Sequence, residues 1–251
     1  MTTREIFLET CRFGNPARTY RWEVCGAWTS ALDRWRSEGM PADAEFPRYF
    51  GMDWHVGFLN FQGETGIVSG FTNSPYVPAF PTEVIAEDET TRTVRHGDGT
   101  VRRDLKVRAE TSMFGEFMLP YYKQIVSRIR SKGVDPVLVD CDGNFEALIP
   151  QFIEAGINGF FPFERAAGME PARLRRQYGH AFCMFGGIDK REVARGRAAI
   201  CRHVDAFVPA LLEDGGYIPR LDHTAPPDIS LDAMRFMIER VRHWSEKVYG
   251  K

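Results

Sequence analysis

The chain has 251 residues, 43% of them hydrophobic, which suits a soluble globular fold with a sizeable core. A net charge of −2 offers no electrostatic footprint for nucleic acid or an anionic membrane, and no apolar run approaches the ~20 residues that span a bilayer. The five scattered cysteines (Cys11, Cys25, Cys141, Cys183, Cys201) contain no CxxC pair and fit reduced thiols packed as small hydrophobes, so a cytoplasmic protein is expected.

The first stretch, MTTREIFLETCRFG, reads as a short amphipathic helix with no signal-peptide h-region. Tyr20–Gly26 reads as a strand, and Thr29–Glu38 as a helix that Gly39 stops. The Gly-, Pro- and aromatic-rich run Phe50–Pro81 reads as loop. Val84–Val107 alternates apolar and polar residues around His96-Gly97-Asp98-Gly99, and the Asp-Gly pair predicts an exposed β-hairpin with charged outer faces.

From about residue 133 a repeat sets in. Val134–Val139 is a short apolar run ending in Asp140-Cys141-Asp142-Gly143, and a helical stretch follows that Asn144 can cap and Gly156 stops. Strand Ile157–Phe163 ends at Glu164 and is followed by a helix from Pro171 to Tyr178. Strand Ala181–Phe185 ends in Gly186-Gly187-Ile188-Asp189, before a long helical segment from Lys190 to Glu213. Tyr217–Leu221 is the last strand, ending in Asp222-His223, and the helix Leu231–Val248 comes after it. Strands alternating with helices at this pace predict a parallel α/β sheet.

In such folds the site gathers at the carboxyl ends of the strands, so Asp140, Asp142, Glu164, Asp189, Asp222 and His223 should converge. Asp140 and Asp142 point the same way by the period-2 rule, and two like-facing carboxylates need a cation, a hydrogen-bonding ligand or a raised pKa to coexist. Alternatively, Asp142 only starts a turn with Gly143 or caps the next helix. Glu164 is either a site carboxylate or the partner of Arg165 or Arg191. His223 is of the residue type that most often transfers protons near neutral pH and most often ligates metals. Gly186 and Gly187 allow a ligand to approach the backbone, or merely make a tight turn. Cys141 lies between two carboxylates, which raises its pKa and argues against a nucleophile. The other histidines (His55, His96, His180, His203, His243) belong to no constellation.

The segments FGEFMLPYYKQI (Phe114–Ile125), VDCDGN (Val139–Asn144), PFERAAGM (Pro162–Met169), GGIDK (Gly186–Lys190) and GGYIPRLDHTAPPD (Gly215–Asp228) stand in an order that resembles the C-terminal half of the uroporphyrinogen decarboxylase superfamily. NPARTYRWE, WRSEGMP and YFGMD are similar to its N-terminal part. The resemblance implies a single (β/α)₈ TIM-barrel domain over 1–251, with an N-terminal part to about residue 110 that carries the 84–107 hairpin insertion. It implies an enzyme, either a corrinoid-linked methyltransferase or a porphyrinogen decarboxylase. Catalytic roles would fall to Asp140, Asp142, Glu164 and His223. Substrate contacts would fall to Glu23, Trp28, Gly186, Gly187, Asp189 and Tyr217. A divalent metal, zinc or another, would be held by Asp140, Asp142, Asp222 and His223. The partners would be a small-molecule substrate and a corrinoid protein.

The chain departs from the family pattern in three ways. It lacks the arginine-rich segment with which the decarboxylases grip substrate carboxylates. The His-x-Cys zinc pair of the methyltransferases falls on Asp140 and Asp142, and their late cysteine on or next to Asp222 and His223; oxygen-rich ligands suit harder or borderline metals. Val107 also passes almost directly to the FGEFMLPYY helix, so five confident strands stand where a closed barrel needs eight. The expectation is an incomplete barrel that stands as a partial barrel, repairs itself as a homodimer or is unstable, and the rival to an enzyme is a non-catalytic remnant or binding protein.

Overall fold

The computed structural model describes residues 1–23, 26–53, 83–88, 91–95, 101–105 and 114–250. The chain divides into two compact units, Met1–Val56 with Leu119–Lys251, and Gly57–Met118.

The smaller unit holds an antiparallel sheet of β1 (Glu83–Glu87), β2 (Thr91–Arg95) and β3 (Val101–Leu105), in that order. The β2–β3 pairing, Arg95 opposite Val101 and Thr91 opposite Leu105, is that of the expected hairpin, whose Asp98-Gly99 turn lies outside the described residues. β1 adds a third strand, with a register shift between Val84 and Ala86. All five β1 residues are exposed, and Val94 of β2 is buried.

The larger unit opens with α1 (Thr3–Cys11), whose N-terminus is closed by a capping box between Thr2 and Glu5. α2 (Thr29–Ser37) and α3 (Phe46–Tyr49) follow. Trp35 of α2 is fully buried, stacks on Phe46 and donates its indole N–H to the Ile229 carbonyl at 2.8 Å. That bond ties the N-terminal helices to the loop before the last helix. α4 (Leu119–Arg130) precedes the sheet.

The sheet itself is parallel, ordered β4 (Leu138–Asp140), β5 (Gly159–Phe161), β6 (Cys183–Phe185), β7 (Tyr217–Ile218). The intervening helices are α5 (Ile149–Glu154), α6 (Pro171–Tyr178), α7 (Lys190–Ala194), α8 (Arg197–Asp205) and α9 (Val208–Asp214), and α10 (Leu231–Tyr249) comes last. Successive side chains of β5 take opposite faces. Phe160 packs among Phe145, Phe152 and Phe182 on the helix side, while Phe161 meets Trp22 and Phe185 on the other. That second face, which would be a barrel's interior, is filled by Ile6 and Cys11 of α1 and by Tyr20 and Trp22. At Gly159 a Cβ would run into Leu138 and Cys183, so only glycine lets β4 and β6 close on β5.

Two sequence expectations are corrected here. The predicted strand Tyr20–Gly26 forms no ladder over its described residues. The Leu221 N–H, which could have bonded its backbone, is taken by the Glu23 side chain, and the Arg21 carbonyl accepts from Asp53 N–H; a single bridge, Ala27 to Ala225, remains. Four strands rather than five therefore form the parallel sheet, and no closed barrel is present among the described residues. The segment from Lys190 to Glu213 is three helices, not one. Gly196 turns left-handed after α7, and Pro209, lacking an N–H, can stand only in the first turn of a new helix.

Candidate functional site

The strand ends do converge. Asp142, Glu164 and His223 follow β4, β5 and β7, and one ligand atom from each lies within 4.8 Å of the others. Asp142 is exposed and the other two are half-buried. His223 Nε2 stands 3.7 Å from Asp142 Oδ1. Its Nδ1 accepts the Thr224 N–H at 2.8 Å, so in the neutral ring the proton belongs to Nε2, on the side of Asp142. Glu164 is held between elements: Oε2 accepts the Gly143 N–H at 2.8 Å, and Oε1 lies 3.8 Å from the Lys190 ammonium. Its cationic neighbour is thus Lys190, and neither Arg165 nor Arg191, which pair with Glu170 and Asp189.

Asp140 stands at the end of β4, the sheet edge. Although the residue as a whole is exposed, its carboxyl is pushed above the ordinary carboxylate range, first by partial burial and then by Asp142, against the pull of Arg220 and His223. Burial and the same two carboxylates push the Cys141 thiol up as well, which makes it a poor nucleophile.

Asp222 has turned away from this group. It is 1% exposed and accepts two backbone N–H bonds, from Arg165 at 3.0 Å and from Lys190 at 3.1 Å. It fastens the loops after β5 and β6 to the end of β7, so the expected four-residue metal set of Asp140, Asp142, Asp222 and His223 is not the one the fold assembles. Below it lies Glu23, buried, with Oε1 on the Leu221 N–H and Oε2 at 3.8 Å from Nε of the fully buried Arg220. The Arg220 guanidinium also lies over the Phe161 ring. This pair is a floor beneath the site rather than a surface open to substrate.

Tyr217, Gly186, Gly187 and Asp189, expected as substrate contacts, are engaged by contacts within the fold. Tyr217 is fully buried and donates its hydroxyl to the Gly186 carbonyl at 2.7 Å. A Cβ at Gly186 would overlap the Pro162 carbonyl, and one at Gly187 the Pro171 ring, and both glycines have positive φ; the space they free is taken by protein. Asp189 caps α7 and holds Arg191. Trp28 is 55% exposed at the start of α2.

His203 was missed by sequence reasoning. From α8 its Nε2 accepts the Asp189 N–H at 2.9 Å, and the ring also bonds the Gly187 backbone. Burial first, and then Arg165, hold its pKa below the ordinary histidine value, which keeps the acceptor nitrogen free of a proton. No local pattern signals this role, because the partners are fourteen residues apart on different elements. Losing one such bond is worth ~1 kcal/mol, so His203→Ala should speed exchange of the Asp189 amide about fivefold, while His203→Gln, which can accept and donate, restores protection. Equal exchange in all three proteins would leave His203 without this role.

Residues 109–244 match the family model described as Uroporphyrinogen decarboxylase (URO-D). The chain belongs to the URO-D family. No curated protein matches it. URO-D membership implies a TIM-barrel-like α/β fold, and the parallel sheet and its strand-end site are the part of that fold described here. No described helix is long and apolar enough to cross a membrane.

A divalent ion fits this URO-D site in distance alone. Three ligands of a half-open site are close enough. A metal-bound imidazole, however, normally donates its second N–H to an acceptor, whereas Nδ1 of His223 faces the Thr224 N–H donor, and no thiolate joins the group. The chemistry suited to the group as it stands is acid–base: the Nε2–H donates a hydrogen bond, and the Asp142 carboxylate beside it can pass a proton.

Proposed function

We propose that this URO-D-family chain is an acid–base enzyme of the methyltransferase-like kind. A small substrate would lose a methyl group to the reduced cobalt of a corrinoid carried by a partner protein. The carbon–heteroatom bond breaks, the methyl carbon bonds to the corrinoid, and the departing heteroatom keeps the bonding electrons. That heteroatom needs a proton, which Asp142 would relay from water while the His223 Nε2–H donates a hydrogen bond to the charge developing on it. The observation that carries this reading is the convergence of Asp142, Glu164 and His223 at three strand ends. Absence from the sequence of the arginine-rich carboxylate grip supports it over the haem-pathway reaction.

A second reading is decarboxylation of a porphyrinogen, in which a strand-end carboxylate stabilises the protonated pyrrole and His223 contacts a substrate carboxylate. It is favoured by the acid–base character of the group, since that reaction asks for no metal. The test follows methyl loss to cob(I)alamin by its visible spectrum over a panel of methyl donors. His223→Gln and Asp142→Asn should each slow it about 10²-fold or more. If the wild-type chain accelerates no donor but releases CO₂ from uroporphyrinogen, the first reading fails and the second stands.

A further inference from the structure

We infer that Lys190 is the built-in cation of the Asp142–Glu164–His223 group, occupying by charge the place a divalent ion would take. Lys190 opens α7, and its backbone is pinned: its N–H is bound by Asp222 Oδ1, the preceding residue by His203, and Gly187 by close packing on Pro171. A residue fixed in this way can aim its side chain reproducibly. The ammonium lies 3.8 Å from Glu164 Oε1 on a side chain only 26% exposed. Glu164 has its other oxygen on the Gly143 N–H, so both of its oxygens already face positive partners.

A second, independent observation agrees. The His223 ring presents Nε2–H, not a lone pair, toward Asp142, because Thr224 N–H occupies Nδ1. Each carboxylate of the group therefore faces an ammonium or an imidazole N–H of the chain itself, the latter at 3.7 Å. A divalent ion taken up by Glu164 Oε1 and His223 Nε2 would compete with the Lys190 ammonium and would need the His223 ring turned or its proton moved to Nδ1. Lys190 thus sets the site's selectivity against metal ions, a role that extends the acid–base reading above but is measured without reference to any reaction.

The experiment is calorimetric titration of the full chain with Mn²⁺ and Co²⁺, which prefer oxygen and nitrogen over the chain's thiols. Wild type, Lys190→Met, Lys190→Gln and Lys190→Arg are compared, together with Lys190→Met combined with His223→Gln. The two neutral variants should bind Co²⁺ at least tenfold more tightly than wild type, Lys190→Arg should behave as wild type, and the double variant should lose the gain. Equal affinity in wild type and both neutral variants, or a gain that survives loss of His223, overturns the inference. Should the neutral variants gain affinity while no methyl transfer is found in wild type, the proposed reaction fails and the role of Lys190 stands.

Discussion

Replacing Asp222 by alanine is expected to lower the unfolding free energy by about 3–5 kcal/mol, the largest effect of any single site change here. The residue is 1% exposed, and its two oxygens accept separate backbone N–H groups, from Arg165 and Lys190. Each of these would be left buried without an acceptor, at roughly 1–3 kcal/mol apiece, and the loops after β5 and β6 would lose their common anchor. The carboxyl itself is raised above its ordinary pKa because burial outweighs both N–H bonds, so part of their worth offsets desolvation. Asp222→Asn keeps one carbonyl acceptor while turning an NH₂ toward the other donor, and should lose about half as much. Thermal unfolding reads this out as a drop of roughly 10 °C for alanine, at ~2–4 °C per kcal/mol in a chain of this size. A drop below 2 °C would mean that the loops are held by other contacts and that Asp222 is free for a role in the site.

Asp222 also shows how far the sequence could be read. Its position at a strand end was legible from the apolar run Tyr217–Leu221 before it, and so was the gathering of Asp142, Glu164 and His223, because parallel strands place their carboxyl ends on one side. Which of two adjacent residues faces the site was not legible. Asp222 and His223 are neighbours, and the backbone turn that sends one down onto the Lys190 and Arg165 amides and the other up to Asp142 depends on loops far away in the chain. The glycines of Gly186-Gly187 were seen as permissive, but what they permit, close approach of Pro162 and Pro171, is tertiary information. The helix ends were the most readable part. Pro171 opens α6 and Tyr178 ends it, as predicted, and Gly179 caps it, since proline and glycine act on backbone dihedrals locally. The segment around Trp22 was the least readable: its alternating apolar residues do face the sheet, yet side chains rather than backbone satisfy the neighbouring strand end.

The second large effect concerns pH and the floor under the site. Burial pushes the Glu23 carboxyl from 4.5 up to about 7, with Arg220 and the Leu221 N–H pulling it down and Asp222 adding to the rise. A group whose folded-state pKa lies above its unfolded value stabilises the fold fully below the unfolded pKa, and that contribution drains away as pH climbs to the folded value. For Glu23 the window is therefore pH 4.5 to about 7, and the shift corresponds to about 3 kcal/mol. Glu23→Gln has no proton to lose and still offers an oxygen to Leu221, so it stands in for the neutral acid the wild type carries below pH 7 and takes a counter-charge from beside the buried Arg220 only above it. The margin of the wild type over the variant should accordingly be near zero at pH 4.5 and fall by about 3 kcal/mol by pH 8, read from urea unfolding at each pH. A margin that stays constant, or widens with pH, would mean that Glu23 is ionised throughout and that the attraction of Arg220 outweighs burial. The first outcome makes the floor of the site a neutral acid beneath a buried cation at acid pH and an ion pair at alkaline pH. Asp140, which Arg220 also pulls toward ionisation, would then feel a more positive floor below pH 7 than above it.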